Sequence, residues 1–354
     1  MNVFNQKKQT KLPKEKEIDP DILTIANCRI ARGERKILML EAAALYDYTK
    51  LNIPVEVIRG REKGPVLFVS AAIHGDEING TEIIRRLVRR EILKKIKGTL
   101  IVIPVVNIFG FNNKSRYLPD RRDLNRSFPG SPLGSLAGRL ANIFMKEIVS
   151  KCSHGIDLHT GSQHRFNLPQ IRASLDDRQT RDLAKGFGVP VIIHSELRDG
   201  SLREAARKRN VSMLLFEGGQ ALRFDEGAIK IGLNGCLSVM KSIGMLNRNQ
   251  KKESKDKKDI FIAKSSHWIR APRSGVFRTK SKVGDHIKKG DVLAKISDPF
   301  GRDEQSIIAN ESGILVGATL LPLVNQGDAM FHMAVFHDSA RVSNAIEDSD
   351  FYVN

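Results

Sequence analysis

Val66-Leu67-Phe68-Val69-Ser70-Ala71-Ala72-Ile73-His74-Gly75-Asp76-Glu77 is the stretch whose reading organises the rest of the chain. Its apolar, β-branched first half reads as a buried strand, and it ends on a histidine, a glycine and two carboxylates. A related pattern follows further along, Gly155-Ile156-Asp157-Leu158-His159-Thr160-Gly161. Together the two blocks offer two imidazoles and one carboxylate, the ligand set of a catalytic zinc ion with one coordination position open. Taken alone, the His74–Glu77 spacing also fits a hydrogen-bonded turn histidine followed by a carboxylate in the first turn of a helix. Gly75 removes side-chain bulk at that junction and allows a tight turn and close approach of the backbone to a ligand.

Working outward, buried-strand runs alternate with amphipathic segments. Strands are predicted over 66–70, 100–105, 155–159, 190–194 and 213–217, and helices over 82–95 and 137–149. This alternation predicts an α/β fold with a mixed, largely parallel sheet flanked by helices. In such sheets polar residues at the carboxyl ends of strands meet in one crevice. His74, His159 and Glu217 all stand at predicted strand ends. Asp157 and His159 alternate with Ile156 and Leu158, so both face one side of their strand. A carboxylate beside a ligating imidazole fixes its tautomer, and Asp157 is the candidate for that role toward His74 or His159. The polar segment from Asn107 to Pro132 is too long for a simple connection. With Asn112, Arg116, Arg121, Arg122, Asn125 and Arg126 it reads as a functional loop suited to anions.

Composition sets the bounds. The chain has 354 residues, 41% of them hydrophobic, and a formal net charge of +18. That length accommodates two domains. Three scattered cysteines, Cys28, Cys152 and Cys236, give no disulfide framework and no thiolate metal site. No apolar run approaches the roughly 18–20 residues that span a bilayer. The polar, lysine-rich start lacks the core of a signal peptide, so a cytoplasmic protein is expected, with no membrane partner. The basic residues are dispersed and lack an aromatic stacking platform. Specific nucleic-acid binding is therefore not expected, and attraction of an anionic small molecule is the simpler account of the charge. The group Arg85, Arg86, Arg89 and Arg90 reads as a solvated helix face.

The organisation reads as a polar arm over 1–20, an α/β catalytic domain over 21–246, a basic linker over 247–265 and a smaller all-β domain over 266–354. Four ordered blocks now bear on identity: His74-Gly75-Asp76-Glu77, Asp123-Leu124-Asn125-Arg126-Ser127-Phe128-Pro129-Gly130, Asp157-Leu158-His159-Thr160-Gly161 and Phe216-Glu217-Gly218-Gly219, with Arg116-Tyr117 between the first two. In them the chain resembles the succinylglutamate desuccinylase/aspartoacylase family of the zinc carboxypeptidase-like group, over roughly residues 50–340. The resemblance implies that His74, Glu77 and His159 hold one zinc ion per chain. It implies that Glu217 is the catalytic carboxylate and that Asn125 and Arg126 grip a substrate carboxylate. It also matches Arg116 to the arginine that polarises the scissile carbonyl, although Arg116 stands further before Arg126 than in aspartoacylase-like members. The expected activity is hydrolysis of the amide bond of an N-acyl amino acid or a related carboxylate-bearing small amide. Longer members with an extra module include deacetylases of N-acetyl-diaminobutyrate, which implies a small acyl group. The alternatives are a metallocarboxypeptidase acting on a peptide C-terminus and a non-catalytic anion-binding protein.

Other residues carry weaker expectations. His164 follows the second metal block closely enough to reach the same crevice. Arg165, Arg172, Arg198 and Arg203 could select substrate, without a ranking among them, and no tyrosine of Tyr46, Tyr48, Tyr117 and Tyr352 is assigned to the site. The C-terminal segment resembles a lipoyl/biotinyl-like barrel through Val283-Gly284-Asp285-His286-Ile287 and Gly290-Asp291-Val292-Leu293. The corresponding half, Ala309-Asn310-Glu311-Ser312-Gly313-Ile314, has no carrier lysine, so no covalent cofactor is expected. Such a module would shield the mouth of the site or mediate assembly, including a homo-oligomer.

Overall fold

The computed structural model describes residues 21–247 and 260–347. The predicted arm, most of the predicted linker and Tyr352 lie outside the described residues. A small hairpin, β1 (Leu23–Ile25) and β2 (Cys28–Ile30), leads into the long antiparallel pair β3 (Arg35–Ala44) and β4 (Lys50–Arg59). Then come β5 (Val66–Ala71), α1 (Asn79–Leu87), β6 (Thr99–Ile103), α2 (Ile108–Asn112), α3 (Leu136–Glu147), β7 (His154–Gly161) and β8 (Arg165–Ala173). The order continues with α4 (Arg178–Phe187), β9 (Val191–His194), α5 (Leu202–Arg207), β10 (Ser212–Gln220) and α6 (Glu226–Ser242). The C-terminal β region holds β11 (Phe261–Ala263), β12 (Ser265–Arg270), β13 (Gly275–Thr279), β14 (His286–Ile287) and β15 (Val292–Ser297). It closes with β16 (Gln305–Ile308), β17 (Gly313–Thr319), β18 (Leu323–Val324), β19 (Ala329–Val335) and α7 (Ser339–Glu347).

The main sheet runs β12-β19-β17-β8-β10-β7-β5-β6-β4-β3. Its centre, β10-β7-β5-β6, is parallel, and the pairs outside that centre along this path are antiparallel, so the sheet is mixed around a parallel core. The parallel strands β5, β6 and β7 are buried almost throughout, as expected of strands covered on both faces. One face packs against α3 and α5 through Phe68, Phe144 and Leu202, and the other against α1, α4 and α6 through Leu87, Phe187, Phe216 and Val239. A third cluster, with Phe277, Leu293, Phe331 and Met333, forms the core of the C-terminal β region. That region is tied into the main sheet itself. One edge of β8 is shared, with Arg165–Asn167 paired to β17 and Gln170–Ala173 paired to β9.

The helix predicted over 82–95 is two pieces in the structure. α1 begins at Asn79 and ends at Leu87, and a separate 3-10 turn covers Glu91–Lys95 after Arg90 turns extended. The face read as solvated is partly an ion network. Buried Glu82 accepts from Arg85 Nε at 2.5 Å and from Arg86 Nε at 2.6 Å, and Arg86 reaches on to Glu226 at 2.7 Å. Among the described residues, no helix is long and apolar enough to cross a membrane.

Candidate metal centre and cavity

The site is built where β5, β7 and β10 end. After β5 the chain turns through Ala72, whose φ of +51° is uncommon for a residue with a side chain, and delivers His74 to the crevice. Gly75 is required there by the protein's own backbone. A Cβ at this position would lie 1.9 Å from the carbonyl carbon of Gly110 in α2. The close approach is therefore to α2 of the protein itself rather than to a ligand as expected, and it locks the His74 turn onto the segment that leads to Arg116 and Asp123.

His74, Glu77 and His159 converge, each with a ligand atom within 4.8 Å of the others. All are buried, at 4%, 2% and 3% exposure. Glu77 Oε1 lies 2.8 Å from His74 Nδ1 and Oε2 lies 2.7 Å from His159 Nδ1. Each imidazole is held from behind by a second carboxylate, Asp123 on His74 Nε2 at 3.1 Å and Asp157 on His159 Nε2 at 2.7 Å. Asp157 is in turn fixed by Ser70 Oγ, which donates to it at 2.7 Å. An imidazole that gives its Nε2–H to a carboxylate presents Nδ1 as an acceptor. Two such nitrogens and a carboxylate pointed at one another form an electron-rich nest that calls for a positive charge among them.

The protonation energetics say the same. Burial opposes charge on His159, yet Asp157 and Glu77 outweigh it and hold the imidazole well above its ordinary pKa. For His74 burial is likewise outweighed, by Glu77 and Asp123, and its pKa is raised. Burial would raise Glu77, but the two imidazoles pull its carboxyl well below the ordinary value. A divalent cation would satisfy this donor set without any proton.

Arg116 sits against the cluster, with Nη1 3.2 Å from Glu77 Oε1 and Nη2 2.9 Å from Asp123 Oδ2. Asp123 organises the whole loop, because it also accepts from Asn125 N at 2.8 Å. In the sequence Asp123 stands within the DLNRSFPG block without an assigned role. Its signal was there, an acid two residues before the Asn125–Arg126 pair. Asn125 Oδ1 accepts from Leu202 N at 2.9 Å, which leaves its amide nitrogen as the end toward the cavity. Glu217 stands directly opposite His159 in the β10/β7 register. Its Oε2 accepts from Asn167 Nδ2 at 2.9 Å.

These groups line one cavity of about 480 Å³. His74, Glu77, Arg116, Asn125, Arg126, His159 and Glu217 are all on its wall, so the structure brings together all seven candidate residues. Asp157 stands behind His159, which settles the choice left open between the two histidines. Arg165, Arg172, Arg198 and Arg203 also reach the wall, as do Trp268, Arg270 and Asp328 of the C-terminal β region, which the sequence reading missed. His164 is exposed and lies off the wall, as do Asn112, Arg121 and Arg122. Among the described residues no tyrosine lines the cavity.

Residues 63–243 match the family model for the succinylglutamate desuccinylase/aspartoacylase catalytic domain. The chain belongs to this family. The N-alpha-acetyl-L-2,4-diaminobutyric acid deacetylase of Halomonas elongata is 26% identical to it over 289 residues, 78% of this chain and 84% of the relative. A succinylglutamate desuccinylase/aspartoacylase structure from Rhodobacter sphaeroides superposes with a TM-score of 0.78 at 23% identity, covering 90% of this chain and all of that one. The product-bound ectoine utilization protein EutE (DoeB) from Ruegeria pomeroyi gives 0.76 at 24% identity, over 85% and 95% of the two chains. At such identities the solved structures establish the fold. As in the sequence reading, it is a mixed α/β sheet flanked by helices with an all-β region at the C-terminal end, and the family is one of deacylating hydrolases.

Proposed function

We propose that this protein is a zinc-dependent amidohydrolase that removes the acyl group from an N-acyl amino acid or a related carboxylate-bearing small amide. The observation that carries this reading is the meeting of His74, Glu77 and His159 with Glu217 and the Asn125–Arg126 pair on one cavity wall. Two imidazoles and a carboxylate suit zinc, and the carboxylates behind the imidazoles are the usual supports of such ligands. When bound, zinc supplies Lewis-acid activation of a water and of the scissile carbonyl.

The remaining steps belong to the chain's own side chains. Glu217, steadied by Asn167, takes a proton from the attacking water and passes it to the leaving nitrogen, giving a carboxylic acid and an amine. Arg116, anchored on Asp123, presents its guanidinium to the charge that develops on the carbonyl oxygen. Asn125 and Arg126 bind the substrate carboxylate, with the planar guanidinium suited to two parallel hydrogen bonds. A cavity of about 480 Å³, partly walled by the C-terminal region, suits a small amide. Seven arginines on the wall, against three carboxylates (Glu77, Glu217 and Asp328), favour an anionic substrate over one that carries a free ammonium.

Glu217→Gln tests the assignment. Turnover should fall by at least about a hundredfold, while metal content stays at the wild-type level. Loss of zinc in that variant would make Glu217 a ligand and sink its role as the base. In a substrate panel on the zinc-loaded enzyme, cleavage of N-acyl amino acids with peptides untouched is expected. Release of C-terminal residues from peptides alone would establish the carboxypeptidase instead.

A further inference from the structure

Trp268 is the single tryptophan of the chain, and β12 sets it on the cavity wall. Across the β12/β19 ladder it stands opposite His332. The two rings stack with centroids 4.7 Å apart and planes 11° from parallel. His332 is buried behind the indole, at 4% exposure. Each ring also holds an arginine of β8. The Arg165 guanidinium lies over the indole, 5.4 Å from its centroid, and Arg172 Nη2 is 3.3 Å from His332 Nδ1.

The choice of partners matters. A guanidinium bound to a carboxylate has its charge cancelled locally, whereas one held by a π-face or a neutral imidazole keeps it. Burial, reinforced by Arg172, His267 and Arg198, holds the His332 imidazole well below its ordinary pKa, so it is neutral and can accept from Arg172. Arg165 Nε and Arg172 Nε are buried with no hydrogen-bond partner. The nearest carboxylate oxygen to Arg172 Nε is Glu217 Oε1 at 4.0 Å, and Asp328 is the acidic neighbour that acts on Arg165. Both side chains line the cavity. Two guanidiniums whose close contacts are rings rather than carboxylates are therefore fastened in place by residues from the other end of the chain.

We propose that Trp268 is a positioning residue of the active site: with His332 behind it, it fixes Arg165 and Arg172 so that their guanidiniums bind a carboxylate of the ligand apart from the Asn125–Arg126 pair. That the ligand is an acylated amino acid rests on the deacylase reading, whereas the existence of an anion subsite beside the indole does not.

Fluorescence of the full-length protein tests the subsite directly, because its tryptophan emission comes from this residue alone. Iodide should quench it more strongly than caesium by about threefold or more, since the guanidiniums concentrate anions there. Arg165→Gln and Arg172→Gln should each reduce iodide quenching while leaving quenching by neutral acrylamide unchanged. Equal quenching by iodide and caesium, or iodide quenching indifferent to both substitutions, overturns the proposal. Kinetics supply the second arm. Trp268→Leu should raise the KM for a carboxylate-bearing N-acyl amino acid about tenfold with kcat within about threefold, and Trp268→Phe should restore most of the loss. An unchanged KM in the leucine variant, or a phenylalanine variant as impaired as leucine, overturns the positioning role. Should the wild type leave every N-acyl amino acid intact, the deacylase reading falls and the quenching experiment still decides the subsite.

Discussion

Two parts of one cavity wall handle charge in opposite ways. Around Glu77 every cation meets a carboxylate: His74 has Asp123, His159 has Asp157, and Arg116 has both Glu77 and Asp123. Along the wall formed by Arg165, Arg172 and Arg203, the close hydrogen bonds and ring contacts go to neutral partners, and the acids Glu217 and Asp328 act from further off. Buried Arg203 donates to Ser195 O, Ser195 Oγ and Glu196 O at 3.1–3.3 Å. Burial, with Arg172 and Arg198 beside it, brings the Arg203 pKa down to about 10. The balanced part is an organised framework in which each group is held by the next. The unbalanced part is costly in the free protein and becomes favourable when an anion arrives.

The largest effect should come from breaking the balanced part. His159→Ala removes one of the three proposed ligand groups, and both zinc content and turnover should fall below detection. A variant that still binds one zinc per chain would show that the cluster is not the metal centre. Asp157→Asn keeps the shape and loses the charge behind His159, so metal affinity should weaken about 10–100-fold. Competition with a chelator measures this, and wild-type affinity would mean that Ser70 and Asp157 are merely structural. The unbalanced part answers to anions. In the wild type, succinate at 100 times its dissociation constant should add about 2.7 kcal/mol of stability, and Arg203→Met should remove most of that gain in thermal melts. An equal gain in both proteins would place the anion elsewhere.

The smallest effect tests charge balance outside the cavity. Arg85 and Arg86 hold the Glu82 carboxyl down from 4.5 to about 2, so its folded-state pKa is depressed. Its contribution to stability is then complete above pH 4.5 and is lost as the pH falls toward 2. Glu82→Gln should flatten the acid limb of the stability curve in that window and change little at neutral pH. An acid limb identical to wild type would leave the ion network on α1 without energetic weight.

What was legible in the sequence follows the same division. His74, His159 and Glu217 each follow a short apolar run, and strand-end position is a local property that the sequence displays. Asp157 is two residues from His159 on the same strand, so its side was readable and only its partner was open. Asp123 was hidden because its role depends on a loop that folds back across Gly75. Arg165, Arg172, Arg198 and Arg203 looked alike because nothing local distinguishes a guanidinium over an indole from one in solvent. Trp268 and His332 come from strands that reach β8 only through β17, by tertiary pairing alone. The end of α1 at Leu87 was missed because the apolar spacing continues through Ile92 while the backbone does not.

The shared edge of β8 has a consequence for how the protein is made. β8 and β9 are synthesised well before their partners: part of the edge of β8 is completed only by Gly317–Thr319, and the outer edge of β9 only by Phe261–Ala263. Until those residues are synthesised, a strand of the active-site wall has open N–H and C=O groups along one side, the arrangement that invites wrong pairing. A nascent chain of this kind depends on the last third of its sequence to close its sheet, so a stop codon in the region of residue 250 would leave a sticky fragment rather than a smaller enzyme.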